Sequence, residues 1–146
     1  TPKPSSAASD VYKRQVLAVG GKFVAPRRFL LAFDGSVAGR KMVETVSTSP
    51  LLQGLSGRVI IADEDTPNIR DQAQWASKTL AEAGFDIDSA IVAGEPEKVI
   101  TAQVSESNCD LLVMGAYGHS RIRHMILGST TATMLRTSSV PVLIIR

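Results

Sequence analysis

Short apolar runs alternate along most of the chain with segments in which apolar residues recur every three or four positions. Each run is bounded by polar, glycine or proline residues, which is typical of a buried strand, whereas the segments between them have the period of an amphipathic helix. The predicted strands are RFLLAF (28–33), RVIIA (58–62), DSAIVAG (88–94), DLLVMG (110–115) and VPVLII (140–145). The order β-α-β-α-β-α-β-α-β predicts an α/β fold: an open five-stranded parallel sheet, doubly wound, with helices on both faces.

Residues that begin and end helices support this pattern. Ser36 is predicted to cap the first helix, and a second helix is predicted from about Ile69 until Gly84 ends it. Pro96 is predicted to open the third helix, because the first turn of a helix does not need the N–H that proline lacks. The last helix is predicted to begin at about Ser129.

The first part of the chain, residues 1–27, differs from the rest and is predicted to be unstructured or a linker. TPKPSSAASDVYKRQ is polar and aperiodic. Within it, SSAASDVYKRQ resembles translated sequencing-adapter remnants and is interpreted as partly non-native; the alternative is a true flexible linker. QVLAVGGKF is interpreted as the frayed end of a neighbouring domain or a linker. The predicted domain is 28–146.

Composition excludes several classes of function. Apolar residues make up 44% of the chain, charged residues 21%, and the net charge is +2, which gives no reason to expect nucleic acid as a partner. The apolar runs are too short to cross a membrane. Cys109 is the single cysteine, so no internal disulfide forms. It precedes a buried strand and is interpreted as a core residue rather than a nucleophile.

The segment GAYGHSRIRHMILGST places three glycines around one polar loop. Gly115 ends a strand, where a side chain would keep a ligand from the backbone, and Gly118 permits a sharp turn. Gly128 precedes the predicted last helix, whose first N–H groups are unpaired and form a natural anion site. Hydroxyl donors for a phosphate chain follow at Ser129, Thr130 and Thr131. The alternative is a plain strand–loop–helix connection.

Two strand ends point to the same place in the predicted sheet. Asp34 follows the first strand and Gly115 closes the fourth, and ligands of open parallel sheets bind beyond the carboxyl ends of strands where the strand order reverses. Asp34 is therefore a candidate site residue; the alternative is that it only forms the turn before Gly35.

Glycine spacing in this loop resembles a known nucleotide-binding motif. The spacing is similar to the G-2x-G-9x-G-(S/T) motif of the universal stress protein family. Two residues separate Gly115 from Gly118, and nine separate Gly118 from Gly128, which Ser129 follows. LLAFDGS and SVPVLIIR are also similar to that family in order and spacing. The resemblance covers about residues 28–146 and implies a Rossmann-like, adenine nucleotide α-hydrolase-like fold. Family members are single domains or two such domains in tandem, and the linker-like stretch LAVGGKFVAPRR before the first strand favours the C-terminal half of a tandem protein.

The resemblance also implies binding residues and ligands. It implies ATP or another adenine nucleotide, with Mg²⁺ or Mn²⁺ bridging the phosphates, and a regulatory or protective role in the stress response of the cytoplasm. The residues it implies are Asp34 at the ribose or adenosine end, Ala62 at adenine through its backbone, Met114 and Gly115 against the nucleoside, and Gly118, Gly128, Ser129 and Thr131 at the phosphates. No residue has a recognisable role as a general base, so no catalytic residue and at most very weak ATP hydrolysis are expected.

Other readings of function lead to different predictions. The resemblance implies a homodimer through the last strand, PVLIIR, expected at a sheet edge, or the same contact with a tandem partner domain. A dimerising module that binds no nucleotide is the main alternative. An adenine nucleotide α-hydrolase enzyme usually carries a Ser-Gly-Gly-x-Asp-Ser loop after the first strand, and the stretch from Phe33 to Ser36 does not match it.

Overall fold

The computed structural model describes residues 15–22, 24–116 and 128–146. Strands and helices alternate along these ranges from the second strand onward. The elements are β1 (Gln15–Ala18), β2 (Arg28–Ala32), α1 (Val37–Thr48), β3 (Ser56–Ile61), α2 (Pro67–Glu82), β4 (Asp86–Ile91), α3 (Pro96–Glu106), β5 (Leu111–Gly115), α4 (Ser129–Thr137) and β6 (Val142–Ile145).

All six strands belong to one sheet, in the order β1-β6-β5-β2-β3-β4. The strands β2 to β6 are mutually parallel, with Leu31 of β2 between Val59 of β3 and Val113 of β5. The predicted α/β fold with a doubly wound parallel sheet is therefore confirmed. The predicted count of five strands is wrong by one, because β1 adds an antiparallel strand beside β6.

The added strand changes the position of β6. Gln15–Ala18, assigned from the sequence to the unstructured or linker segment, pairs with β6 so that Gln15 lies opposite Ile145 and Ala18 opposite Val142. The sequence analysis expected β6 at the edge of the sheet. This expectation is wrong, because β1 lies outside β6. A run of four residues is too short to predict a strand from the sequence. The strand β1 forms because its backbone pairs with the N–H and C=O groups of β6 that would otherwise be unpaired. Residues 1–14 lie outside the described residues.

Helices cover both faces of the sheet, as predicted. Alternate residues of β2 point to opposite faces: Phe29 and Leu31 pack with α1 and α2, while Leu30 packs with α3 and α4. The strand β4 is an exception, because it lies at the end of the sheet and none of its residues is fully buried.

Cys109 is a buried free thiol whose pKa is raised by burial, which suits the predicted role as a core residue.

The helix starts follow local capping chemistry. The Ser36 hydroxyl accepts from the N–H of Gly39, as predicted for the cap of α1. The helix α2 begins at Pro67, two residues before the predicted start at about Ile69, and the Thr66 hydroxyl caps it by accepting from the N–H of Ile69. Pro96 opens α3 as expected.

Among the described helices, none has the length and apolar character of a membrane span.

An ionic cluster joins three strands at their amino ends. The Asp88 carboxylate on β4 contacts the guanidinium of Arg58 on β3 at 2.6 Å and that of Arg28 on β2 at 3.0 Å. Hydrogen bonding from Arg58 is the main cause that lowers the pKa of Asp88. Because the Asp88 side chain is 48% exposed, water screens much of this interaction.

Replacing Asp88 by asparagine tests the contribution of this cluster to stability. A carboxyl whose pKa is lowered by folding contributes stability above its unfolded pKa of about 3.9 and loses that stability as pH falls through the lower folded value. We therefore expect Asp88→Asn to reduce the free energy of unfolding by about 0.5–1 kcal/mol at neutral pH. The difference from the unmodified chain should vanish in acid, as measured by urea unfolding at a series of pH values. A difference that persists below both pKa values would contradict the ionic origin.

Candidate functional site

A cleft of about 410 Å³ opens at the carboxyl ends of β2, β3 and β5. The strands β2 and β5 are neighbours, and the chain continues from them toward opposite edges of the sheet, so the strand order reverses there. Most candidate residues predicted from the sequence line this cleft. They are Asp34, Ala62, Met114, Gly115, Gly128, Ser129, Thr130 and Thr131. Gly118 lies outside the described residues.

One end of the cleft is apolar. Phe33 and Met42, both buried, line it together with Ile61. The Phe33 ring packs against Trp75 of α2 at a centroid distance of 6.0 Å, and the Arg40 guanidinium lies 4.8 Å from the centre of the Trp75 ring. This packing holds Phe33 from behind and leaves an apolar slot suited to a planar ring.

The end of β3 adds unpaired backbone groups to this slot. Hydrogen bonds continue just beyond the paired strands. The Phe33 N–H donates to the Ile60 carbonyl at 3.0 Å, and the Val92 N–H donates to the Ile61 carbonyl at 2.9 Å. Within the described residues, the N–H and C=O of Ala62 make no hydrogen bond. One donor and one acceptor from the same residue are therefore available at the apolar end of the cleft.

Asp34 forms a turn and also lines the cleft. Its Oδ1 accepts from the N–H of Ser36 at 3.0 Å and from the hydroxyl of Ser36 at 2.6 Å. Its Oδ2 has no hydrogen-bond partner among the described residues. The two readings of Asp34 from the sequence, turn former and site residue, are thus compatible, because each uses a different carboxylate oxygen.

Two glycines fix the position of this carboxylate. Gly35 has φ +74°, and a Cβ there would overlap the side-chain amide oxygen of Gln72. A Cβ on Gly39 would lie 2.6 Å from Asp34 Oδ1 and 3.1 Å from the Phe33 ring. The Gln72 oxygen is itself buried without a hydrogen-bond partner in the described part of the chain, and it lies directly beside Gly35 in the Asp34 turn.

The opposite end of the cleft is the start of α4. Gly128 donates its N–H to Ala116 and accepts from Ala132, which positions the first turn of the helix beside the end of β5. Gly128 has no side chain to cap this turn. The N–H groups of Ser129, Thr130 and Thr131 have no acceptor within the helix and carry its partial positive charge.

The hydroxyl groups at this end differ from the sequence expectation. Thr131 is buried and donates its hydroxyl to the carbonyl of Gly115 at 2.8 Å, so this hydroxyl joins α4 to β5 and only the backbone N–H of Thr131 is available. The Thr130 hydroxyl lies 3.4 Å from a carboxylate oxygen of Glu97 on α3. Ser129 is exposed, and its hydroxyl makes no hydrogen bond within the described residues.

Sequence reasoning did not identify several residues at or beside the cleft. Seven of them line it and one approaches it through Thr130. The seven are Gly39, Met42, Ile60, Ile61, Asp63, Pro96 and Ile100, and the eighth is Glu97. Pro96 and Glu97 follow β4, so the rule that ligands bind beyond the carboxyl ends of strands contained the signal for them.

Comparison with known proteins shows the family to which the chain belongs. A family model described as the universal stress protein family matches residues 47–146. The chain belongs to the universal stress protein family. Universal stress protein Slr1230 of Synechocystis is 37% identical over 131 residues, which cover 84% of this chain and 46% of the relative. Universal stress protein MJ0577 of Methanocaldococcus jannaschii is 27% identical over 81 residues, covering 56% of this chain and 50% of the relative.

Solved structures of universal stress proteins have the same fold. A crystal structure of a universal stress protein in complex with cAMP is 27% identical, with a TM-score of 0.70, and the match covers 84% of this chain and 98% of that one. A universal stress protein from Archaeoglobus fulgidus in complex with dAMP is 17% identical, with a TM-score of 0.64, covering 84% and 100%. This chain spans about half the length of the first two curated relatives.

Substituting Gly35 tests how the Asp34 turn is held. Gly35→Ala forces an L-residue into left-handed backbone, at a cost of about 1–2 kcal/mol, and pushes its Cβ against Gln72. We expect the combined variant Gly35→Ala/Gln72→Ala to recover the part of the loss that comes from the overlap. Urea unfolding of both single variants and the double variant measures this coupling. Strictly additive losses would show that Gln72 does not confine the turn.

Proposed function

We propose that this domain binds an adenine nucleotide and that nucleotide occupancy serves a regulatory or protective role in the stress response. The observation that carries the proposal is a single cleft with two chemically different ends. An apolar slot beside the unpaired backbone of Ala62 lies at one end, and the unpaired N–H groups of α4 lie at the other. The ligand that fits has a flat heterocycle joined to an anionic chain.

The base end has a hydrogen-bonding pattern that suits adenine. The Watson–Crick edge of adenine offers one donor, the exocyclic amine, next to one acceptor, the ring nitrogen N1. The free C=O and N–H of Ala62 form the complementary pair, and Phe33 and Met42 supply apolar contact for the ring. Relatives with cAMP and dAMP support adenine as the base. In this proposal the free Oδ2 of Asp34 accepts a hydrogen bond from a ribose hydroxyl.

The phosphate end relies on the backbone of α4. Three N–H groups aligned at a helix start bind phosphate oxygens, and the Ser129 hydroxyl adds a further donor. Among the described residues no three His, Cys, Asp or Glu side chains cluster to hold a metal. We therefore propose that Mg²⁺ or Mn²⁺, if ATP is bound, is held mainly by the phosphates, where it neutralises their charge.

The proposed role is binding and not turnover. Asp34 uses one carboxylate oxygen in its own turn, and the Glu97 carboxylate is 3.4 Å from the Thr130 hydroxyl, a distance at the upper limit of a hydrogen bond. ATP should remain intact or be hydrolysed well below about 1 per second, the lower end of ordinary enzyme rates. Assay of the ADP formed by the purified protein checks this, and turnover in the ordinary range would overturn it.

A charge placed at the start of α4 tests the phosphate end. We expect Ser129→Glu to weaken ATP binding by roughly tenfold or more, because a carboxylate near the phosphates repels them by more than about 1.4 kcal/mol. The same charge favours the helix N-terminus, so the free energy of unfolding should not fall. Isothermal titration calorimetry measures the affinity.

Adenosine and a neutral variant provide the matched controls. Adenosine has no phosphate, so its affinity should be the same for the unmodified chain and for Ser129→Glu. Ser129→Gln, which adds the same bulk without charge, should retain ATP binding. Equal loss of adenosine affinity would contradict the assignment of the two ends. Absence of binding by every nucleotide would favour the alternative of an interaction module.

Exchange of the base tests the proposed role of Ala62. Inosine presents an acceptor and a donor in the reverse order from adenine at the positions that face the Ala62 backbone. We expect ITP to bind roughly tenfold or more weakly than ATP, since the loss of paired backbone hydrogen bonds costs about 1–3 kcal/mol. The comparison uses calorimetry on the unmodified chain. Equal affinity for the two nucleotides would exclude this recognition of the base.

A further inference from the structure

A carboxylate lies beside the phosphate end of the cleft. Glu97 is in the first turn of α3, directly after Pro96, which lines the cleft. Its Oε1 atom is 3.4 Å from the hydroxyl of Thr130 in the first turn of α4, and the residue is half-buried. A negative charge therefore lies close to the backbone N–H groups that are proposed to bind phosphate.

No cationic side chain in the described part of the chain neutralises this carboxylate. Lys98, the next residue, pairs with Glu95 at 3.3 Å, and no described lysine or arginine forms an ion pair with Glu97. The charged side chains among the described lining residues are Asp34 and Asp63, and both are carboxylates. Phosphate sites commonly use lysine or arginine for charge. Here the described residues offer phosphate only the partial positive charge of a helix start.

The hydroxyl groups at the start of α4 strengthen this bias. The contact between Thr130 and Glu97 is long for a hydrogen bond, but its direction is fixed, because a carboxylate accepts and does not donate. The hydrogen of the Thr130 hydroxyl is thus directed to Glu97, and that of Thr131 is bonded to the Gly115 carbonyl. Of these hydroxyls, only that of Ser129 is free to donate within the described residues.

We propose that Glu97 determines which adenine nucleotides the cleft accepts, by disfavouring negative charge at the start of α4. This inference rests on the proposed function. The repulsion between like charges grows with the charge of the ligand, so it is absent for adenosine, small for a cyclic monophosphate and largest for free triphosphate. The cleft therefore favours adenine nucleotides with a single phosphate, and it binds ATP well only when a divalent cation has neutralised part of the triphosphate charge.

A purely structural role for Glu97 leads to different expectations. An acidic residue in the first turn of a helix is stabilised by the macrodipole, and the N-cap of α3, Glu95, makes no side-chain hydrogen bond there. Loss of that stabilisation would lower the free energy of unfolding and would change the affinity for every ligand alike. The charge-based role predicts a change that depends on the charge of the ligand. Comparison of several ligands on one variant therefore separates the two roles.

The experiment removes the charge of Glu97 and keeps its shape. Glu97→Gln retains an oxygen that can accept from Thr130. We expect its affinity for ATP, measured by calorimetry in EDTA, to rise roughly fivefold or more, its affinity for cAMP to rise less, and its affinity for adenosine to stay the same. Glu97→Lys should raise the affinity for ATP further. Added salt should reduce the gain for ATP, because counterions screen the repulsion.

Glu95→Gln is the matched control. It makes the same change of charge at the start of the same helix, but Glu95 is exposed, pairs with Lys98 and does not line the cleft. Its affinities for adenosine, cAMP and ATP should equal those of the unmodified chain. Saturating Mg²⁺ should reduce the difference in ATP affinity between Glu97→Gln and the unmodified chain, because the cation lowers the charge that Glu97 repels.

Three results would contradict these expectations in different ways. An ATP-to-adenosine affinity ratio that is the same for Glu97→Gln and for the unmodified chain would overturn this inference and leave the proposed function intact. Weaker binding of ATP with Mg²⁺ by Glu97→Gln would also overturn it, because Glu97 would then hold the cation and not repel the phosphates. Absence of binding by adenosine, cAMP and ATP in every variant would overturn the proposed function and this inference with it.

Discussion

Backbone pairing between β2 and β5 joins the two halves of the chain, with Leu31 opposite Val113. From this pair the chain winds through β3 and β4 toward one edge of the sheet and through β6 toward the other. The helices α1 and α4 that follow β2 and β5 lie on opposite faces, so within the part of the chain that the structure describes a cleft remains beyond the carboxyl ends of these strands. The cleft and both of its chemically distinct ends exist because these two strands are neighbours.

Several polar groups of the cleft belong to the backbone, and two polar side chains hold that backbone in place. The Thr131 hydroxyl is used to bind Gly115, and one oxygen of Asp34 is used to bind Ser36. Among the described residues, the available donors include the N–H groups of Ala62 and of the first turn of α4, together with the Ser129 hydroxyl. A site of this kind depends on the path of the chain more than on residue identity. Universal stress proteins with low identity to this chain have the same fold.

The backbone of β6 explains why β1 joins the sheet. The residues of β6 are buried by helices on both faces, but its backbone requires a partner on the side away from β5. The strand β1 satisfies that requirement while leaving Val16 and Leu17 partly exposed. The partly exposed apolar residues of this part of the sheet therefore lie on β1, at its outer edge.

The sequence by itself determined the order of strands and helices of the parallel sheet, the Ser36 cap, the Pro96 helix start and the glycines around the last loop. These features depend on periodicity and on local chemistry, which act between residues close together in the chain. Only the tertiary structure decided that Gln15–Ala18 is a strand, that Glu97 approaches Thr130 and that the Thr131 hydroxyl is already bonded. Each of these depends on a partner far away in sequence, and local patterns carry no information about which distant group will satisfy an unpaired donor or acceptor.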